Sequence, residues 1–365
     1  MKQIIGIYCG NCWFTNWDED TVKEGAGGSE TWAVELASVF QRYGFHVIVF
    51  GQPIENHFAE NGVEYVKAED FVKRCEYQHF DYFISSRKTE ELTPSLPDCT
   101  NIYIMGHDTE IELRYDTAVL KLDRVKKIML LSDWQKRIYL ANYEGLTEDR
   151  IIKTCNGVIQ ERYENIDEDK KENLMIWSSA HERGLKTFID YIFPHIKEKV
   201  PDFRLKICGY DTRSSFSENV EGIEFIGRIG KDELAALQKK AKIWVYPNIG
   251  TNDNGELFHE TFCITAVENA LAKNAIVCFK AGGIVSTLNG YNHMFCKDCF
   301  NDLDFRYSHC NIKEMCGFLV EDAIKMLLDE NYRRQAASEA YGICTQYTWE
   351  KCANDWLKEW GLIYE

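Results

Sequence analysis

Glu260 and Glu268 stand eight positions apart in the run Glu260-Thr-Phe-Cys-Ile-Thr-Ala-Val-Glu268. The first glutamate comes just before an apolar helical pattern of Phe262, Ala266, Val267, Ala270 and Leu271, and the second lies two turns inside it. At 1.5 Å of rise per residue the two carboxylates are roughly 12 Å apart along the axis, about the length of a sugar, a diphosphate and a ribose in line. Between them is a helix N-terminus, whose free N–H groups and dipole favour an anion. One short element can therefore hold hydroxyls at both ends and a diphosphate in the middle. Acidic residues are plentiful in this chain, so the bare pair is equally a solvated helix face, and its surroundings must decide.

Other residue types point to chemistry less sharply. Cys9-Gly-Asn-Cys12 follows a first strand and has the spacing of a redox pair. Cys296, Cys299, His309 and Cys310 offer the donor types of a zinc site, but without a complete ligand spacing. The other reading of both groups is ordinary reduced thiols, the state expected of fourteen cysteines in a chain whose N-terminus reads as a strand and not a signal peptide. Cys208 and Cys278 fall in apolar strands, where Cys packs as a small hydrophobe. No G-x-G-x-x-G follows the first strand, which argues against a nicotinamide enzyme.

With 365 residues, 45 % hydrophobic and 27 % charged, the chain reads as a globular protein of two domains. No apolar run approaches the roughly eighteen residues of a membrane span, and the expected location is the cytoplasm. The net charge of −16 disfavours a generic nucleic-acid binder. An acidic chain that holds an anion must rely on dipoles and a few placed cations. One basic stretch, Lys121 to Arg137 with Arg124, Lys126, Lys127 and Lys136, is either a solvated face or a surface resting on anionic lipid, a peripheral membrane contact.

The elements that must position these residues alternate strand and helix, twice over. Residues 2–8 form an apolar strand, and a Gly-rich turn, Gly25-Ala-Gly-Gly-Ser29, precedes a helix carrying Trp32, Leu36, Val39, Phe40 and Tyr43 on one face. Strands are expected at 46–50, 80–85, 101–105, 127–131 and 150–153. Asn165 to Asn173 is charged and reads as an exposed linker. The scheme then restarts with strands at 174–178, 203–208, 223–226, 242–246 and 275–279 and helices at 184–199, 231–240 and 262–272. An amphipathic end carries Trp349, Cys352, Trp356 and Trp360. The expectation is α/β: two doubly wound, Rossmann-like domains with parallel sheets, facing a central cleft at the C-terminal ends of strands.

Several segments, in order, resemble retaining nucleotide-sugar glycosyltransferases of the two-Rossmann-domain (GT-B) type, glycosyltransferase family 4-like. They are Gly27-Gly-Ser-Glu30, Asn156-Gly-Val158, Ser178-Ser-Ala-His-Glu-Arg-Gly-Leu185, Pro201 to Gly209, Phe225-Ile-Gly-Arg228, the Glu260–Glu268 element, and Ala281-Gly-Gly-Ile284. The resemblance implies an N-terminal acceptor domain of residues 1–165, joined by a C-terminal helix of 346–365 packing back on it. The donor domain would span 173–345, and the two would close about the 165–173 linker to exclude water.

The resemblance also implies roles. Glu260 would bind hydroxyls of the transferred sugar and Glu268 those of the ribose. Arg183 stands where the family usually has lysine, and its guanidinium would grip two phosphate oxygens. Ser178 takes the place of a frequent family arginine and would donate a hydrogen bond instead. Lys186 is a second phosphate candidate or a solvent-facing helix residue. Thr261, Phe262 and Cys263 lie along the donor, with Thr261 and Cys263 replacing common glycines. Gly27 and Gly28 would let the loop approach the donor or acceptor, or merely make a tight turn. His107, just past a strand, would face the sugar or only cap a loop. Arg228 would meet the base or phosphate, or lie plainly on the surface. The implied reaction moves a sugar from a nucleoside diphosphate, UDP- or GDP-linked, to an acceptor hydroxyl with retention. The leaving phosphate would take the acceptor's proton, with no metal or other cofactor. The acceptor would be a glycan, a lipid-linked sugar or a small molecule. A nucleotide-sugar epimerase and a non-catalytic sugar-nucleotide-binding module are the competing readings.

Overall fold

The structure, a computed structural model, describes residues 2–10, 16–87, 99, 101–109, 124–209, 220–249, 259–296, 300–301, 306–307 and 312–363. The chain divides into two compact units, Met1–Gly157 with Tyr347–Glu365, and Val158–Gln346.

In the first unit the strands are β1 (Ile4–Tyr8), β2 (His46–Gly51), β3 (His57–Phe58), β4 (Glu64–Lys67), β5 (Tyr82–Ser86), β6 (Ile102–Met105), β7 (Val125–Leu130) and β8 (Ile151–Lys153). They form one sheet in the order β3-β4-β2-β1-β5-β6-β7-β8. Every pairing is parallel except the edge pair β3–β4. The central strands are Ile-, Val- and Phe-rich and buried along nearly their whole length, as a sheet covered on both faces requires. The sheet reverses direction of growth between β1 and β5, the doubly wound arrangement. Its helices are α1 (Glu19–Lys23), α2 (Gly28–Arg42), α3 (Phe71–Cys75) and α4 (Asp133–Asn142). Ser132 caps α4 by accepting from the Gln135 N–H at 3.2 Å.

In the second unit the strands are β9 (Leu174–Trp177), β10 (Arg204–Cys208), β11 (Ile223–Gly227), β12 (Ile243–Tyr246), β13 (Ala275–Phe279) and β14 (Met294–Phe295), with a small pair, Phe300–Asn301 and Arg306–Tyr307. They run as β11-β10-β9 and β12-β13-β14, all parallel. A parallel bridge between Glu172 and Ala241 joins β9 to β12, so the strands lie in the 3-2-1-4-5-6 order of a Rossmann half. The helices are α5 (Leu185–Thr187), continued through a π segment, Phe188–Ile192, into α6 (Phe193–Lys199), then α7 (Lys231–Gln238), α8 (Ile264–Leu271), α9 (Ile284–Thr287), α10 (Ile312–Leu328) and α11 (Glu330–Cys344).

The last helix, α12 (Trp349–Glu359), returns to the first unit. Trp356 lies 6.3 Å from Trp32 of α2, and Trp360 stacks on Tyr82 at 4.1 Å and meets Phe40 at 5.2 Å. Gly157 is needed beneath it, because a Cβ there would collide with the backbone of Thr348 and Trp349.

In the charged stretch 165–173, expected as an exposed linker, Asn165, Asp167 and Asp169 are exposed but Lys171 is buried. Lys171 is 7 % exposed, and its ammonium donates toward the carbonyls of Ala241 (2.7 Å), Ala272 (2.9 Å) and Lys239 (3.2 Å) and toward Asn274 Oδ1 (2.8 Å). Glu168 pairs with Lys273 at 3.0 Å and Asp169 with Arg334 at 2.7 Å. These charges tie the segment into the second unit. No helix among the described residues is long and apolar enough to cross a membrane.

Candidate functional site

The carboxyl ends of β9 and β12 flank the point where the second sheet's strand order reverses, the usual place for a ligand in such a fold. Three predicted residues gather there. Ser178 follows β9, Arg183 ends the turn after it, and Glu260 precedes α8. Glu260 is 7 % exposed, and its Oε1 accepts both from Arg183 Nη1 and from the Tyr246 hydroxyl, the latter at 2.5 Å. Burial lowers the Arg183 pKa, but the charge of Glu260 and then Tyr246 outweigh it and hold the group above its ordinary value. Burial, then the Glu260 charge, pushes the Tyr246 phenol well above its ordinary value, so it remains a proton donor.

Local sequence explains each placement. Trp177 Nε1 donates to the Ser179 carbonyl at 2.8 Å and fixes the turn that carries Ser178. The Ser178 Oγ is buried and makes no hydrogen bond among the described residues, a donor ready for an acceptor atom. Gly184 follows Arg183 at φ +103° against Pro247, a left-handed position that suits glycine. Tyr246 stacks on Trp244, centroids 4.6 Å apart, and meets the tilted Trp177 ring at 5.8 Å.

The loop Glu260–Cys263 is backed by the predicted Gly-Gly turn. Gly283 N–H donates to the Glu260 carbonyl at 2.5 Å, and a Cβ on Gly283 would collide with the Thr261 carbonyl. Thr287 Oγ1 donates to the Phe262 carbonyl, and Phe262 is buried. Cys263 caps α8 with φ +74°, a left-handed backbone region that residues with a Cβ rarely adopt. Burial raises its thiol pKa well above the ordinary range, so it is not a ready nucleophile.

Glu268 is 5 % exposed on α8 and pairs with Lys231 Nζ, the first residue of α7, at 3.0 Å. Arg228, just past β11, is exposed. Lys186 is exposed and pairs with Asp190 one turn on at 2.5 Å, the solvent-facing alternative for this residue. A cavity of about 570 Å³ lined by Lys171, Arg204 and Lys242 opens at the opposite, amino ends of these strands and holds none of the predicted site residues.

In the first unit Gly27 caps α2 and Gly28 begins it. His107 follows β6 and is 8 % exposed, edge-on to Trp32 of α2 at 5.0 Å. Gln135 Nε2 holds the His107 loop by donating to the carbonyls of Gly106 (3.0 Å) and Asp108 (2.8 Å). Burial, then the Arg87 charge, lowers the His107 pKa well below its ordinary value, so the imidazole is neutral. Lys121 lies outside the described residues; in the rest of the basic stretch Lys136 pairs with Glu148 at 2.9 Å, Lys126 donates to Asn101 at 2.5 Å, and Lys127 lies 4.0 Å from Glu359. Cys9 is buried and Cys296 exposed, while Cys12, Cys299, His309 and Cys310 lie outside the described residues.

Two residues of the site escape sequence reading. Tyr246 was signalled only by its place as the last residue of a strand, and Lys231 by its place at a helix start.

Residues 172–302, within the second unit, match the family described as Glycosyl transferases group 1. An uncharacterized glycosyltransferase of Methanocaldococcus jannaschii is 24 % identical over 213 residues, 56 % of this chain and 52 % of the relative. The chain thus spans about half the length of that curated relative. Among solved structures, a glycosyltransferase from Rickettsia africae superposes with a TM-score of 0.70 at 13 % identity, covering 98 % of each chain. The Anabaena HepE protein in complex with UDP and glucose gives 0.67 at 12 % identity, covering 99 % of this chain and 100 % of that one. These likenesses show the fold: two Rossmann-like domains of the GT-B glycosyltransferase architecture.

Proposed function

We propose that the protein is a retaining glycosyltransferase that moves a sugar from a nucleoside-diphosphate sugar to an acceptor hydroxyl. The observation that supports this reading best is the Arg183–Glu260–Tyr246 cluster at the sheet's reversal point, with Glu268 two turns along α8. Glu260 would accept hydrogen bonds from hydroxyls of the transferred sugar, and Glu268 from the ribose. Arg183, the Ser178 hydroxyl and the N-terminus of α8 would meet the diphosphate and stabilise the charge that grows on it as the glycosidic bond breaks. That oxygen then takes the acceptor's proton on the same face, so configuration is retained and no enzyme base is required. His107, neutral and rigidly held, would hydrogen-bond the sugar or position the acceptor. A UDP-linked donor is favoured by HepE, whose structures contain UDP, glucose and UDP-glucose. The acceptor would be a glycan or lipid-linked sugar, met in the cytoplasm or at a membrane surface.

The test is a panel of UDP-, GDP- and ADP-sugars, with and without candidate acceptors, read as nucleotide release. Release from one donor, lost in Glu260→Ala and Arg183→Ala, supports the proposal and names the donor. Sugar-nucleotide isomerisation without acceptor would move the assignment to an epimerase. Binding of a nucleotide with no turnover for any acceptor would favour a binding module.

A further inference from the structure

At the edge of the first unit's sheet, Asp18, Glu19 and His57 each bring a ligand atom to within 4.8 Å of the other two. Asp18 caps α1 and Glu19 begins it, while His57 sits on β3. None of the three belongs to the proposed transferase site.

The hydrogen bonding sets the orientation. His57 Nδ1 lies 3.0 Å from the Glu55 carbonyl, an acceptor only, so Nδ1 carries the proton. Nε2 then points its lone pair toward Glu19 Oε2, 3.5 Å away. A lone pair facing a carboxylate oxygen is repulsive unless a second proton or a metal cation lies between them. This is the arrangement of metal-binding histidines, whose other ring nitrogen is anchored by a carbonyl. Asp18 caps α1 through Oδ1, which accepts from the N–H groups of Asp20 and Thr21, leaving Oδ2 for a ligand.

Independent atoms point the same way. The Glu19 Oε2 is buried and makes no hydrogen bond among the described residues. Tyr65 is 1 % exposed, and its hydroxyl is likewise buried without a hydrogen bond among them. Tyr65 is the cross-strand partner of His57 and stacks on it, with centroids 5.4 Å apart and planes 15° apart. A hydrated cation would supply the positive charge between Nε2 and Oε2 and a water for the Tyr65 oxygen.

Two carboxylates and one neutral imidazole carry a formal charge that a divalent ion cancels. Mixed imidazole and carboxylate donors suit zinc among the divalent ions, with water completing the shell. We propose that Asp18, Glu19 and His57 bind one zinc-class divalent ion, which clamps α1 onto the β3–β4 hairpin.

The test uses the full chain, stripped with a chelator and re-dialysed at pH 8. Bound zinc is counted by elemental analysis, and Co2+ serves as a spectroscopic substitute. Expected is the loss of one zinc equivalent in Glu19→Gln and in His57→Gln, with Cys296→Ser keeping that equivalent. The Co2+ spectrum of this equivalent should lack thiolate charge transfer. Zinc should raise the melting temperature of the wild type and of Cys296→Ser, but not of the two ligand variants, whose metal-free melting confirms that they fold. A wild type that binds no ion overturns the proposal. So does unchanged stoichiometry in both ligand variants, or a Co2+ spectrum in which every bound equivalent shows thiolate charge transfer.

Discussion

The guanidinium of Arg183 and the carboxylate of Glu260 are joined by a hydrogen bond at the reversal point of the second sheet, and the accepting oxygen also takes the Tyr246 hydroxyl. Seventy-seven positions separate the pair in sequence. Under the proposed function, a cation that would meet phosphate and a carboxylate that would meet hydroxyls thus hold each other in place before any donor arrives. Pre-orientation of this kind spares reorganisation when charge develops. Arg183→Ala is expected to lower kcat about 100-fold, the usual cost of one charge-stabilising donor. Steady-state nucleotide release measures it, and a variant with wild-type kcat would remove Arg183 from the mechanism.

Tyr246 donates to Glu260, and under the proposed function it acts through that carboxylate. Tyr246→Phe keeps the ring stacked on Trp244 and deletes one hydrogen bond, so its stability cost should be about 1 kcal/mol. A kcat loss of about tenfold, with donor KM little changed, is expected if the hydroxyl sets the carboxylate's direction. Paired melting curves and kinetics separate this from a purely structural role, in which kcat would not move.

Glu268 is buried and already paired with Lys231. If it holds the ribose, Glu268→Gln should remove a charge-assisted hydrogen bond of about 1.5–3 kcal/mol. That corresponds to a roughly ten- to hundredfold rise in donor KM, with kcat less affected. A 2′-deoxy donor should show the loss in wild type and no further loss in the variant.

Gly283→Ala places a methyl group against the Thr261 carbonyl, so the Glu260–Cys263 loop must shift. Overpacking costs about 1–3 kcal/mol. Activity should fall further than the melting temperature alone explains, because the displaced loop carries Glu260. Thermal melting and nucleotide release on the same preparation read both.

Acid should weaken the second unit through Glu330. The Arg333 hydrogen bond, helped by Arg334 and by the charges of Arg333 and Lys242 against a burial penalty, lowers its pKa from 4.5 to about 2. A folded-state pKa below the unfolded one stabilises the fold above the unfolded value, and the gain is lost as pH falls between about 4.5 and 2. Glu330→Gln should flatten the stability curve in that window and leave its slope above pH 5 unchanged.

Much of the fold was legible because buried parallel strands announce themselves as apolar runs. β13 coincides with its expected range, 275–279, and the others differ at their ends by a few residues. The helix expected at 262–272 begins at Ile264 because Cys263 takes a left-handed backbone. β3 and β4 gave no such signal: the edge strand is two residues long, and Glu64 and Lys67 break the apolar run. Glu260 and Arg183 were singled out through the family resemblance of their segments, the spacing of Glu260 and Glu268 being ambiguous by itself. Tyr246 was not, because its role depends on β12 lying beside β9, a pairing no local pattern encodes. The burial of Lys171 within that stretch was not legible for the same reason: its carbonyl acceptors come from residues 239, 241 and 272.

The assignment of α12 to the first unit makes the second unit an insertion, 158–346, within the first. During synthesis the second unit is therefore whole before the ribosome has made Trp356 and Trp360. Until they arrive, Trp32, Phe40 and Tyr82 lack the aromatic cover those two side chains provide. The nascent first unit thus completes this aromatic cluster only after the second unit has been synthesised.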